Sequence, residues 1–177
     1  MFFQSFNTVI LLDNQLNETL KIELANTENP ILPIAIGLAS GNRLWIYNSL
    51  SQKIGLYDYA KKDLQPLTTP FVNNVRYYES DFNYFRWTDE FGNAFRCDVY
   101  GKVVALGEVP VSEQIQWVSD AIILYKKDTK LYEYDFASTK STLIEIGEKT
   151  FKKFSFKDQI LSIFTNQGIT NYKITVP

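Results

Sequence analysis

A short phrase ending in an acid recurs along this chain. It reads TVILLD at Thr8–Asp13, KIGLYD at Lys53–Asp58, NAFRCD at Asn93–Asp98 and KLYEYD at Lys130–Asp135, with GITNYK at Gly168–Lys173 a weaker echo. The closing residues Asp13, Asp58, Asp98, Asp135 and Lys173 are spaced by 45, 40, 37 and 38 positions. A drifting period near 40 marks stacked supersecondary units, each burying its faces against its neighbours. FRWTDEFGNAFRCD from Phe85, IILYKKDTKLYEYD from Ile122 and ILSIFTNQGITNYK from Ile160 align without a gap. LWIYNSLSQKIGLYD from Leu44 is the same segment with one extra residue. Each is a strand-like run, a polar or glycine-containing turn and a second strand-like run, which predicts a β-hairpin.

Ahead of the hairpins lie ILPIAIGL, VRYYE, IQWV and FKKFSF, joined to them by turns with Ser40-Gly41, Ser80-Asp81, Ser119-Asp120 and Lys157-Asp158 at matching places. Behind the hairpins come KIEL, LQPL, VVAL and TLIEI, so a unit is four short antiparallel strands. One place before the closing residue stand Leu12, Tyr57, Cys97, Tyr134 and Tyr172, apolar or amphipathic throughout. Two places before it stand Leu11, Leu56, Arg96, Glu133 and Asn171, a mixed set. A sheet wet on one face alternates more cleanly, whereas a sheet packed between neighbours reads like this. The expectation is an all-β fold: a single β-propeller domain of four-stranded antiparallel blades, about four and a half of them in this chain. The units fall at about 1–25 (partial), 31–67, 74–109, 114–146 and 151–177, the last without its final strand.

RLWIYNSLSQKIGLYDY and DAIILYKKDTKLYEYDF, with the glycine-marked NAFRCDVYGKVVAL, resemble uncharacterised exported β-propeller proteins of Bacteroidetes. The resemblance covers nearly the whole chain and rests on a loose repeat. It implies the fold and a periplasmic or otherwise exported location in the cell envelope, and it carries no known chemistry. No Gly-His to Trp-Asp signature is present, so this is not a standard WD-repeat sequence.

Composition excludes more than it assigns. The 177 residues contain no histidine and one cysteine, Cys97, which removes histidine-activated nucleophiles, histidine zinc sites and any internal disulfide. A net charge of -2 argues against a nucleic-acid partner. No apolar run approaches the length of a membrane span, and MFFQSFNTVILLDN lacks the features of a signal peptide. Neither a catalytic residue, a metal site nor a cofactor is assigned. Glu79 and Asp81 form a tempting carboxylate pair, but Asp81 shares the column of Asp120 and Asp158, where an aspartate closes a turn. The closing aspartates recur once per unit and read as structural, Cys97 reads as a buried inert thiol, and FKKFSFK reads as a strand with Phe inward and Lys outward.

What remains is the first strand of each unit, which in a propeller lines the central channel. Leu38, Tyr78, Trp117 and Ser155 stand three residues before the turn position, and Ile36, Arg76, Ile115 and Lys153 five before it. Arg76, Tyr78, Trp117 and Lys153 are the large or charged members and form the candidate recognition surface, with core packing the competing role for Tyr78 and Trp117. The function expected is a non-catalytic binding or scaffold module whose partner is another protein of the cell envelope. The alternative is a propeller-type hydrolase or carbohydrate-binding protein that uses the central channel, with Glu79 as its carboxylate. Setting Asp13 against Asp98 places Met1 inside a hairpin strand, and TVP follows a third strand. The expectations are a reading frame extended upstream by at least one unit behind a secretory signal, and self-association through open blade edges.

Overall fold

The computed structural model describes residues 2–4, 8–24, 31, 33–67, 72, 74–147 and 150–174. Met1 and the TVP segment, on which the reading of the chain ends rests, lie outside the described residues. Among those described no α-helix occurs; the chain is strand after strand. In order they are β1 (Phe2–Gln4), β2 (Thr8–Leu12), β3 (Glu18–Glu23), β4 (Pro33–Leu38), β5 (Arg43–Asn48), β6 (Lys53–Asp58), β7 (Asp63–Pro66), β8 (Tyr77–Ser80) and β9 (Tyr84–Thr88). There follow β10 (Asn93–Asp98), β11 (Val103–Glu108), β12 (Gln114–Trp117), β13 (Ile122–Lys127), β14 (Lys130–Asp135), β15 (Lys140–Ile144), β16 (Lys153–Lys157), β17 (Ile160–Phe164) and β18 (Ile169–Lys173).

They form five sheets in chain order: β1-β2-β3, β4-β5-β6-β7, β8-β9-β10-β11, β12-β13-β14-β15 and β16-β17-β18. The acid-closed phrases are equivalent strands. KIGLYD, NAFRCD and KLYEYD are the third strands of the four-stranded sheets, and GITNYK supplies the third strand of the last.

The closing aspartate works locally. Asp58 Oδ1 accepts the N–H groups of Ala60 and Lys61 at 3.0 and 3.1 Å, and Asp98 Oδ1 those of Tyr100 and Lys102 at 2.9 Å each. Asp13 Oδ1 accepts from Gln15 and Asn17 at 2.7 and 2.9 Å, and Asp135 Oδ1 from Ala137 at 2.8 Å. Each carboxylate thereby folds the chain from the strand it closes into the next one, as short acidic side chains do in Asx turns.

Two details of the alignment change. The unit at β5 begins at Arg43, which pairs with Asp58 as Ile122 pairs with Asp135. Its insertion is therefore two residues rather than one. The turns between first and second strands also differ in length. Ala39 and Val118 each donate to a residue four positions on, Arg43 and Ile122, whereas Ser80 pairs with Phe85 and Lys157 with Ile160. Counting back from the turns therefore mixes faces. By register Tyr78 lines up with Gly37, Gln116 and Ser155, opposite Trp87, Trp45, Leu124 and Ser162. Trp117 lines up with Leu38, Glu79 and Phe156, one residue on and on the other face.

The chain divides into two compact units, Met1–Glu90 with Arg96–Val104, and Phe91–Phe95 with Ala105–Pro177. In the first, Val9, Ile22, Leu24, Ile31, Ile36, Leu44, Ile46 and Tyr57 pack as one buried cluster, drawn from the first two sheets and the residues Leu24 and Ile31 between them. The second sheet also meets the third: Trp45 of β5 donates Nε1–H to Asp81 O at 2.9 Å, and Ser40 N–H donates to Phe82 O at 3.0 Å, both acceptors in the turn after β8. Gly37 allows this approach, since a Cβ there would lie 1.7 Å from Ser80 Oγ and 2.6 Å from Ser80 Cβ. In the second unit Leu124, Leu131, Phe151, Phe154, Leu161 and Ile163 form the buried cluster. Phe151 and Phe154 are inward while Lys152, Lys153 and Lys157 are exposed, so FKKFSFK is an ordinary strand edge-on to its core.

Two glutamines add a polar seam to that packing. Gln114 donates Nε2–H to Phe154 O at 2.7 Å and accepts Phe154 N–H at 3.1 Å. Gln116 repeats the pattern two residues on, donating to Phe156 O at 2.6 Å and accepting Phe156 N–H at 2.7 Å. Two side-chain amides thus bond β16 in the manner of a strand, satisfying main-chain groups that would otherwise be costly to bury.

Candidate recognition surface

Strand β8, the first of its sheet, and the residues leading into it present Arg76 and Tyr78 to solvent. Arg76 N–H donates to Thr88 O at 2.9 Å, which holds it in line with β8 one residue before the strand begins. Its guanidinium lies over the Tyr77 ring at 5.1 Å, a cation–π contact, and makes no ion pair among the described residues. Tyr78, on the same face as Arg76, stacks on Phe85 with ring centroids 5.8 Å apart and planes 10° apart, while 40% of its surface remains open. Phe85 is fully buried and packs in turn against Trp45 and Trp87 at 6.0 and 6.1 Å. The exposed tyrosine therefore stands on a rigid aromatic base.

Beside it lies a shallow cavity of about 400 Å³, lined by Tyr47, Asn74, Val75, Arg76 and Glu90. Asn74 Nδ2–H donates to Glu90 Oε2 at 3.0 Å across one wall. Tyr47 closes the floor, its hydroxyl donating to Val72 O at 2.9 Å, and burial pushes its pKa up, which keeps the phenol neutral. The wall chemistry is one cation stacked on Tyr77, one carboxylate held by an amide, and apolar surface.

The other two candidates belong to the second unit. Trp117 is only 4% exposed and pairs with Ile123, the placement of a core side chain. Lys153 is exposed and its ammonium lies over the Phe164 ring at 4.9 Å. By register Lys153 shares its column with Arg76 and Gln114, and Ser155 shares its column with Tyr78 and Gln116. The two columns on this face are thus the ones from which Gln114 and Gln116 grip main chain. Sequence reasoning passed over the glutamines; the signal was a pair of long amides at i and i+2 of a strand otherwise built from Ile and Trp.

The carboxylates read as tempting chemistry are occupied. Asp81 Oδ1 accepts the N–H groups of Asn83 and Tyr84 at 2.8 and 2.9 Å, and its Oδ2 accepts from Arg86 at 2.8 Å. Burial raises its pKa, but the Arg86 bond and the two amides together hold it below the usual aspartate value. Glu79 is half-buried and stands opposite Arg86 in the register. Cys97 is fully buried, and burial first, then the adjacent Asp98 charge, push its thiol up to about 12. A thiol so placed is protonated and unreactive at neutral pH.

No protein-family model and no curated protein matches the chain in sequence. Solved structures do match in shape. Hsv2 of Kluyveromyces lactis, a propeller protein, superposes with a TM-score of 0.66 at 10% identity, over 97% of this chain and 56% of that one. The computationally designed protein Ika4 gives 0.54 at 15% identity, over 87% of this chain and 99% of that one. The tricorn protease gives 0.58 at 13% identity, over 92% of this chain and 17% of that one. The chain thus spans about half the length of Hsv2 and nearly all of the designed protein. At these identities the likeness speaks to fold alone, and with the sheets described above it gives an all-β chain built of antiparallel blades, a β-propeller.

Proposed function

We propose that this chain is a non-catalytic binding module that recognises another protein through Arg76, Tyr77 and Tyr78. One observation carries the reading: an exposed tyrosine rests on a buried aromatic stack, and on the same face an arginine that stacks on Tyr77 and has no ion pair among the described residues lines an open cavity. Tyrosine and arginine on a rigid base lose little side-chain entropy on contact and are over-represented among residues that dominate binding energy. The columns they occupy are those from which Gln114 and Gln116 bond the backbone of a strand. The favoured partner therefore presents main-chain carbonyls or carboxylates to Arg76 and an apolar surface to Tyr78. The aspartates of the repeat and Asp81 are committed to turns, which supports binding over catalysis. The cell envelope is the proposed location, on the sequence resemblance.

A photo-crosslinking amino acid placed at position 78, compared with one at Leu143 on β15, tests this in cells. The expected result is a discrete protein adduct from position 78, lost when Arg76→Ala is added, with the circular dichroism of the variant unchanged. Turnover of an ester or glycoside substrate that disappears in Glu79→Ala would overturn the reading in favour of a hydrolase.

A further inference from the structure

Within the second unit the repeat supplies its own comparison. Strands β13 and β14 meet their turn at Lys127 and Lys130, and at the same place in the last sheet Thr165 N–H donates to Gly168 O at 2.9 Å. The register therefore sets Asp128 against Asn166 and Lys126 against Phe164. Just ahead of β12, Glu113 N–H donates to Lys126 O at 2.9 Å, and just ahead of β16, Lys152 N–H donates to Phe164 O at 2.8 Å. Glu113 and Lys152 are thus equivalent residues of opposite charge.

In the sheet β12-β13-β14-β15 the glutamate fills this corner. Its Oε1 accepts Asp128 N–H at 3.1 Å, and its Oε2 accepts from the ammonium of the buried Lys126. That ammonium also lies 5.7 Å from the centre of the Phe151 ring. In the last sheet each of these groups changes. Lys152 replaces the acid, Phe164 replaces the buried lysine, and no acceptor meets the Asn166 N–H among the described residues. The corner is instead a cavity of about 580 Å³, a size usual for small-molecule sites. Its wall carries Lys152, the threonines Thr150, Thr165 and Thr170, and the amides Asn166 and Gln167, with the buried Phe151 beside them. Thr165 Oγ1 holds the turn in shape, accepting Gln167 N–H at 3.1 Å and donating to Gly168 O at 3.2 Å. Lys152 is exposed and has no ion pair among the described residues.

We propose that this cavity binds a sugar that carries a carboxylate, a uronic acid. The carboxylate takes the place that Glu113 fills in the preceding sheet, accepting from Asn166 N–H and facing the Lys152 ammonium. The ring hydroxyls meet Thr150, Thr170 and the side-chain amides of Asn166 and Gln167, groups that both donate and accept. An aliphatic acid would leave those groups without partners, which favours the sugar. The site shares no residue with the Arg76–Tyr78 surface and stands or falls without it.

The test titrates the full chain with D-glucuronate and D-galacturonate by calorimetry and follows its amides by NMR. Glucose and galactose keep the ring without the carboxylate, and acetate keeps the carboxylate without the ring. At least one uronate should saturate the protein, with its neutral parent sugar and acetate each roughly tenfold weaker or more. The amide signals of Asn166 and Gln167 should shift while those of Tyr77 and Tyr78 stay in place. Lys152→Glu should weaken binding roughly tenfold, and Lys152→Arg should retain it. Lys152→Glu combined with Phe164→Lys rebuilds the Glu113–Lys126 pair and should abolish binding. Far-UV circular dichroism should stay unchanged in the single variants, because Lys152 is exposed. A neutral sugar or acetate that binds as tightly as the uronate would overturn the inference. So would shifts that persist in Lys152→Glu, or no saturation by either uronate below about 10 mM.

Discussion

Replacing Asp81 by alanine removes two backbone bonds and one bond to Arg86 from a single turn. Because the carboxylate is about half exposed, the expected loss is modest, about 1 kcal/mol, and chemical denaturation measures it. The pH dependence has a definite sign. The folded-state pKa of Asp81 is lowered from its ordinary 3.8, so its contribution is complete above that value. It is then lost as pH falls through the depressed folded value. Wild type and Asp81→Ala should therefore differ most near neutrality and converge in acid, while a constant gap down to low pH would show that the turn gains nothing from the charge. The same logic explains why one residue type recurs so regularly. An aspartate at the end of a strand has an acceptor short enough to catch amides two to four residues ahead, and lysine does not.

Strand pairs fail or hold on spacing, and of the glycines in the first unit Gly37 has the least room for a side chain. A methyl group at position 37 meets both Ser80 Oγ and Ser80 Cβ inside contact distance. Gly37→Ala should cost about 1–3 kcal/mol, and adding Ser80→Gly should recover part of it, read as the shift in thermal midpoint. A double variant no better than the single would mean that the clash is relieved elsewhere. At this scale the sequence was largely readable, because hairpins announce themselves by paired runs and a turn. KIGLYD, NAFRCD and KLYEYD are equivalent strands as the alignment requires. The first strands were less readable because they are short and the turns after them vary in length. That variation aligned Trp117 with Tyr78, when Trp117 belongs with Glu79 and points into the core. Gln114 and Gln116 escaped notice because their partners are main-chain atoms 40 residues away, which leave no mark in a side-chain pattern.

Across the described residues the content is strand without α-helix, and far-UV circular dichroism should report it so. Each unit also has its own buried cluster, and Leu44 and Leu161 are fully buried in one each. Leu44→Ala and Leu161→Ala should each cost about 2–5 kcal/mol. Hydrogen exchange should show the first change loosening β2–β6 and the second loosening β12–β18. A substitution that left its own cluster protected would contradict the assignment of that core. The blades and their number were foreseeable from the period, whereas the surface at Arg76 was only nameable, since exposure and the Phe85 stack depend on packing that no spacing rule encodes. The two glutamines carry one further consequence. Because each grips both the donor and the acceptor of one residue, and the two are a strand repeat apart, they act as a vernier between neighbouring sheets. A slide by one residue would present the wrong face of β16, and a slide by two would leave one amide idle. The height of one blade against the next is thereby locked in whole steps of two residues. Exchange of blades between related chains should consequently succeed only when both glutamines travel with their strand.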